Sequence, residues 1–399
     1  MKVLQINAVY GYSSTGVIVR DIQQMCLDNG IEAYVAFQKG HGTPNELTYE
    51  IGTSFDHKIH AVLSRIAGKQ AYFSWLATKK LLRYMDRLKP DIVHLHNLHN
   101  NYVNLNLVLQ YLAEKNIKTV ITMHDCWYFT GGCFHYASVD CNKWQSGCGH
   151  CSKQKLDTPA LLYDASASIL RDRIKYFSAI PSLTMVGASE WVATECKKSM
   201  LGLKNVTFIH NGFDLNVFKP ISSDIRKKLN LEGKYVILGP ASKWLLPINK
   251  PTLNYFVSQM PIDTVLLLFG SNGAEHVYSD NVKYYGYTRN REELSQLYSM
   301  ADVMINVSRE DTLSSLNLEC QACGTPVITY DATGSKETVD GKCGISIETG
   351  NYKLLFDEFL NVKSIKKSEL SRQSQNWVCE NFEKHANYQK YIELYRSLK

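Results

Sequence analysis

The chain has 399 residues, 45% of them hydrophobic and 21% charged, enough to build two or three packed cores, with two as the working number. A formal net charge of +6 is that of an ordinary solvated surface and gives no argument for nucleic acid. No run approaches the roughly eighteen apolar residues of a membrane span. The stretch from Met1 to Gly16 also lacks the basic, apolar and small-residue zones of a secretory signal, so the expected location is the cytosol.

The pattern along the chain is strand then helix, repeated. Apolar runs predict strands at Val3–Ala8, Ala33–Phe37, Ile92–Leu95, Thr119–Met123, Leu183–Ala188 and Val206–Ile209. A polar connector after His210-Asn211-Gly212 ends at Pro220. A second series then follows at Tyr235–Leu238, Val265–Phe269, Val282–Tyr284, Val303–Val307, Val327–Thr329 and Gly344–Ile347. Such alternation specifies an α/β protein with parallel sheets covered on both faces. The expected division is residues 1–212, then 213–381, with residues 382–399 as a last helix packing back on the first domain. No short repeat is present, which excludes a solenoid.

The sharpest chemical signal is Ser308-Arg309-Glu310-Asp311-Thr312, followed by Glu319-Cys320-Gln321-Ala322-Cys323-Gly324-Thr325-Pro326-Val327. A strand ends at Val307, an acidic loop follows, and a helix starting near Ser314 and Ser315 carries Glu319. Ligands of open α/β sheets bind at the carboxyl ends of strands, where this loop lies. A carboxylate there can accept both hydrogen bonds of a vicinal diol, and the amides of a helix start suit a diphosphate. Helix-start acids favoured by the dipole are the competing reading for an isolated segment of this kind.

This segment resembles the signature of the large retaining glycosyltransferase family of GT-B fold called family four: two acidic residues eight positions apart, then a small-residue helix and Gly-Thr-Pro-Val. Asp311 and Glu319 stand at those positions, with Asp311 where a Glu is more usual. Nearly the whole chain takes part. Tyr10-Gly11-Tyr12-Ser13-Ser14-Thr15-Gly16 is similar to the family's first glycine loop, and Asp91-Ile92-Val93-His94-Leu95-His96-Asn97 to its acceptor-side strand. His124-Asp125 and Asn211-Gly212-Phe213-Asp214 also fall where the family has related motifs. The Ser-Thr-Gly loop, His-Leu-His-Asn and Thr-Gly-Gly-Cys together resemble bacterial enzymes of exopolysaccharide or colanic-acid-type assembly.

The resemblance implies a GT-B fold, two Rossmann-like domains facing each other across a cleft, that transfers sugar with retention from a UDP- or GDP-type donor. The acceptor implied is a glycan, lipid-linked, at the inner face of the cell membrane. Glu319 would hold the ribose and the Asp311 loop the donor sugar, with Ser314 and Ser315 also binding the donor. His124 would contact the sugar, Gly16 would let backbone approach the donor, and His96 and Asn97 would face the acceptor. Lys243 and Lys250 would neutralise the diphosphate without any catalytic metal. Here the chain departs from the family, because Pro251 replaces the usual Gly after Lys250 and the preceding loop is about two residues longer.

Two further features stand apart from that signature. From His57 to Pro90, eight Lys and Arg side chains face one acid, Asp86, while Ile59, Val62, Leu63 and Ile66 recur at helical spacing. A basic amphipathic segment (57–90) of this kind fits an anionic membrane surface, and a helix with a solvated basic face is the alternative. Eleven cysteines include Cys133, Cys141, Cys148 and Cys151 in a polar loop (126–158) with too few apolar residues to pack itself. Their spacing ends in a two-residue knuckle and suggests one structural zinc ion, with reduced, partly buried thiols as the alternative. A sugar-nucleotide epimerase of the same fold and a non-catalytic glycan-binding protein remain the competing functions.

Overall fold

The computed structural model describes residues 1–40, 45–157, 160–271 and 279–399; residue 158, the end of the cysteine-bearing loop, lies outside them. The chain divides into two compact units, Met1–Asn211 with His385–Lys399, and Gly212–Lys384. In the first, β1 (Lys2–Tyr10), β2 (Glu32–Gly40), β3 (Thr48–Glu50), β4 (Ile92–Leu95), β5 (Lys118–Met123), β6 (Leu183–Gly187) and β7 (Val206–Phe208) form one parallel sheet in the order β3-β2-β1-β4-β5-β6-β7. The expected strands of this half are all present. The unexpected one is β3, a three-residue edge strand, Thr-Tyr-Glu, too short to show any apolar run.

The second unit holds β8 (Tyr235–Pro240), β9 (Thr264–Phe269), β10 (Val282–Tyr285), β11 (Val303–Asn306), β12 (Val327–Tyr330) and β13 (Gly344–Ile347), in the parallel order β10-β9-β8-β11-β12-β13. Apart from half-buried Ile345, their Val, Ile and Leu side chains are buried on both faces, as helices on both sides of a parallel sheet require. In each sheet the strand order reverses at one place, between β1 and β4 in the first and between β8 and β11 in the second. The diverging loops at such a reversal open a crevice at the carboxyl ends of the two strands.

The last helix, Lys384–Leu398, belongs almost wholly to the first unit. Tyr388, Tyr391, Ile392 and Tyr395, spaced to lie on one helical face, are buried against Val3, Ile22, Ile92, Val120 and Val186. Two of the hydroxyls are satisfied inside: Tyr395 reaches His94 Nδ1 at 2.5 Å and Tyr391 reaches Thr122 Oγ1 at 2.8 Å. In the second unit Gly212 lies where a Cβ would come within 2.3 Å of Lys384 Cα, and Asp214 pairs with Lys384 Nζ at 2.6 Å. The Asn-Gly-Phe-Asp motif thus clasps the two ends of that unit. No helix of the described residues is long and apolar enough to cross a membrane.

Candidate functional site

At the β8/β11 reversal the acidic loop follows β11 and leads into the helix Ser315–Ala322, whose first turn no side chain caps. Uncapped N–H groups at a helix start are the ordinary seat of a phosphate. Glu319 lies on the second turn and accepts a hydrogen bond from the buried Tyr298 hydroxyl at 3.1 Å. It forms no ion pair among the described residues, and burial pushes its pKa up to about 7, against the Tyr298 hydrogen bond and the more distant Arg291. Asp311 is held through its main chain: its N–H donates to Thr333 Oγ1 at 2.8 Å, and its carbonyl accepts from Gly334 N–H at 2.9 Å. Thr333 adopts a φ of 55°, an unfavourable region for a β-branched residue and of the kind that gathers at functional loops.

Ser314 and Ser315 part company. Ser315 is half-buried, whereas Ser314 is fully buried and its Oγ accepts from Asn306 Nδ2 at 3.1 Å, so it supports the loop from beneath. Asn306 also reaches Asn317, Asn317 reaches Thr338, and Gln321 bonds Asn317 and Thr338 carbonyls. This buried polar ladder clamps the helix to β11 and to the turn after β12. The Thr312 hydroxyl, buried in the acidic loop, has no partner among the described residues.

The loop after β8 lies beside it. Trp244 is buried with Nε1 donating to the Ile305 carbonyl at 2.9 Å, in the space beside Gly239 that a Cβ would fill. Lys243 is half-buried, and its carbonyl accepts from Asn249 Nδ2 at 3.0 Å; the same amide reaches the Val307 carbonyl at 2.9 Å. Lys250 is exposed at the start of the helix Lys250–Gln259, where Pro251 falls in the first turn. Proline is tolerated there because that N–H has no helical partner, which accounts for the departure from Lys-Gly. A cation overlooked in the sequence is Arg309, whose Nε donates to Asn249 Oδ1 at 2.9 Å while its guanidinium lies over Tyr330 at 5.8 Å. Its one signal was adjacency to the acidic pair.

The β1/β4 reversal of the first unit carries the glycine loop and His96-Asn97. Gly16 lies in the helix Ser13–Asp28 with its α-carbon against Val9, where a Cβ would meet the Val9 backbone at 3.1 Å, and Gly11 N–H closes the loop on the Gly16 carbonyl at 2.9 Å. Asn7 ties the two loops: its Oδ1 accepts from Asn97 N–H at 3.0 Å and its Nδ2 donates to the Val9 carbonyl at 2.7 Å.

A relay runs from β1 to the residues that directly follow β4 and β5. Gln5 Nε2 donates to the Val19 carbonyl at 3.1 Å, which leaves Gln5 Oε1 to accept from His96 Nε2 at 3.0 Å. His96 Nδ1 is therefore an acceptor, and His124 Nε2, 3.2 Å away, is its donor. That tautomer leaves His124 Nδ1 as a bare lone pair, buried without a partner. Burial lowers the His124 pKa to about 4 and holds His94 and His96 well below the usual imidazole range. His124 is thus a neutral acceptor, not a source of positive charge. His96 is fully buried within the relay, so it supports His124 and cannot itself meet an acceptor.

Cys133, Cys141, Cys148 and Cys151 all line one cavity of about 20 Å³, and none of the four is in a disulfide. Burial pushes the Cys133 thiol up to about 12 and raises those of Cys148 and Cys151. Among the described residues no group of three or more His, Cys, Asp or Glu side chains is gathered so as to hold a metal ion. The loop packs better than its composition implied. Trp127, Tyr128, Phe129, Tyr136 and Trp144 are buried, and the buried Arg173 stacks on Trp127 at 4.1 Å while donating to the Trp127 and Thr130 carbonyls.

Two parallel α/β sheets with switch-point loops of this kind define the GT-B architecture. The Glycosyltransferase Family 4 model matches residues 15–217 and the Glycosyl transferases group 1 model residues 273–377. The chain belongs to glycosyltransferase family 4 and is a glycosyltransferase. It is 23% identical over 325 residues to YtcC of Bacillus subtilis (strain 168), whose name places it among glycosyltransferases, a match spanning 74% of this chain and 68% of that protein. It is similar in structure to Anabaena HepE (TM-score 0.67, 16% identity, all of both chains). It is also similar to sucrose-phosphate synthase of Thermosynechococcus elongatus (TM-score 0.66, 16% identity, all of this chain and 98% of that one).

Proposed function

We propose that this glycosyltransferase moves a sugar, with retention of its anomeric configuration, from a nucleoside-diphosphate donor to a lipid-linked glycan in the assembly of a bacterial surface polysaccharide. The observation that carries the donor is Glu319: a carboxyl at the switch point, without an ion pair among the described residues, beside an uncapped helix start. A ribose diol would satisfy that carboxylate, and a diphosphate the helix N–H groups and the nearby Lys243, Lys250 and Arg309. UDP is the first nucleotide to test, with GDP second, since HepE has been crystallised with UDP and with UDP-glucose.

The Asp311 loop and Thr312 would face the donor sugar, and His124 Nδ1 would accept a hydrogen bond from one of its hydroxyls. Gly16 lets the first helix pack against Val9 and so holds the glycine loop that would approach the donor, and Asn97, with its main chain fixed by Asn7, would face the acceptor. The chain's own residues bind, orient and exclude water, and the departing phosphate takes the acceptor's proton. The four thiols belong to this reading as a structural zinc site that closes when the ion binds. In its favour, all four line one cavity with room for a single water-sized guest. Peripheral attachment at the cytoplasmic face of the membrane completes the proposal. Thermal-shift titration with UDP, GDP and their sugars, followed by NMR of the product's anomeric proton, tests it. A shift with no sugar nucleotide, or an inverted product, would overturn it.

A further inference from the structure

The helix Ser54–Ala67 is built inside out. Its two buried residues are polar: His60 Nδ1 meets Ser74 Oγ at 2.7 Å, and Ser64 Oγ donates to Asn101 Oδ1 at 2.8 Å. Its apolar stripe faces solvent instead. Phe55, Ile59, Val62 and Ile66, spaced four, three and four apart along one helical face, are 71%, 44%, 56% and 43% exposed. The His60 ring meets Phe73 edge-on and Phe73 meets Trp75, which carries the patch on to exposed Trp75 and Leu76 at the start of the helix Trp75–Leu88. At the other end Leu161 N–H donates to the Arg65 carbonyl at 2.8 Å, which sets exposed Leu161, Leu162 and Tyr163 beside it. An outward apolar patch of this extent is a docking surface.

The charges around it name the occupant. Lys58 and Arg65 are exposed on the same helix, and Lys79, Lys80 and Arg83 on the next. The last three line a groove of about 300 Å³ with Gly52, Thr53 and Leu76. Two acids share that groove: Asp56, engaged by the Thr53 N–H and hydroxyl in a capping box, and Glu50. A second copy of this chain would bring like charges together across a two-fold axis. An anionic bilayer instead accepts exposed aromatics and aliphatics at its interface and basic side chains at its headgroups.

We infer that the face formed by Phe55, Ile59, Val62, Ile66, Trp75 and Leu76 docks on an anionic lipid bilayer, with Lys79, Lys80 and Arg83 seating a phosphate headgroup. For what such docking achieves, the inference rests on the reading of the acceptor as lipid-linked. The full chain is sedimented with vesicles of phosphatidylcholine alone or containing phosphatidylglycerol, with Trp emission recorded. The wild type pellets with phosphatidylglycerol vesicles, less so at high salt, and its emission shifts to the blue. Lys79→Ala/Lys80→Ala/Arg83→Ala loses about a hundredfold in affinity for them. Phe55→Ser/Ile59→Ser/Leu76→Ser loses binding although its basic residues remain, while both variants keep the wild-type rate of donor-sugar hydrolysis in solution. Equal pelleting of wild type and variants would overturn the inference. So would a wild-type dimer that the serine variant dissolves, with no vesicle binding by either, since the patch would then be a protein interface. Hydrolysis is read without vesicles, so loss of the donor reading and loss of the docking reading are told apart.

Discussion

Replacing Glu319 by Gln should make the protein more stable and less active, and the two effects should follow pH in a way that a surface glutamate would not. The free side chain ionises near 4.5, and burial moves it to about 7. At about 1.4 kcal/mol per pH unit, an ionised Glu319 gives up about 3 kcal/mol of folding free energy above pH 7. The sign follows from proton uptake: between pH 4.5 and 7 the folded chain holds a proton that the unfolded chain releases, so stability falls as pH rises through that window. Glu319→Gln removes the ionisation and keeps the shape. Its unfolding midpoint at pH 8 should exceed that of wild type by about 4 to 8 °C, allowing for the carboxyl's partial access to water, and the gain should shrink at pH 5. Turnover should fall by about tenfold to a hundredfold, because the charge-assisted contact to the ribose proposed above would be lost. In the wild type, donor kcat/KM should fall about tenfold per unit below pH 7 as the carboxylate is protonated. Scanning calorimetry at pH 5 and pH 8, with donor kinetics over the same range, decides the matter. Equal midpoints at pH 8, or unchanged turnover in a folded variant, would remove Glu319 from the site.

His124→Ala should lower kcat/KM for the sugar nucleotide by about tenfold to a hundredfold while leaving the bare nucleoside diphosphate bound as before; weakened binding of the bare nucleotide would place His124 elsewhere. Acid should act oppositely on the two domains. His60, His94, His96 and His124 are held neutral in the folded first domain, with His60 and His124 at about 3 and about 4, whereas the unfolded chain takes up protons below about pH 6.5. That domain therefore loses stability as pH falls from about 6.5 towards 4, while the second is relieved at Glu319, and hydrogen exchange resolved by domain should show the two diverging. Protein purified without added metal should carry one zinc per chain, lost in Cys148→Ser and Cys151→Ser. Clearly substoichiometric zinc would leave Cys133, Cys141, Cys148 and Cys151 as buried thiols around an empty cavity.

The strands and the acidic loop were legible because their signals are local. A strand buried on both faces must be a continuous apolar run, and a loop between Val307 and a helix can carry carboxylates only where the sheet ends. What the linear chain could not show were contacts that join distant segments. Gln5 lies on β1 and His96 and His124 directly follow β4 and β5, and only the pairing of those strands in one sheet settles which imidazole nitrogen is bare. Arg309 acquires its place through Asn249, sixty positions earlier, and Ser314 turns inward because Asn306 needs a partner beneath the loop. The helix Ser54–Ala67 shows the division most clearly. Its sequence determined the apolar stripe, since spacing of four, three and four is a property of the helix alone. Whether the stripe faces the core or the solvent depends on what packs against the opposite side, and here the partners are Ser74 and Asn101, which take its polar His60 and Ser64.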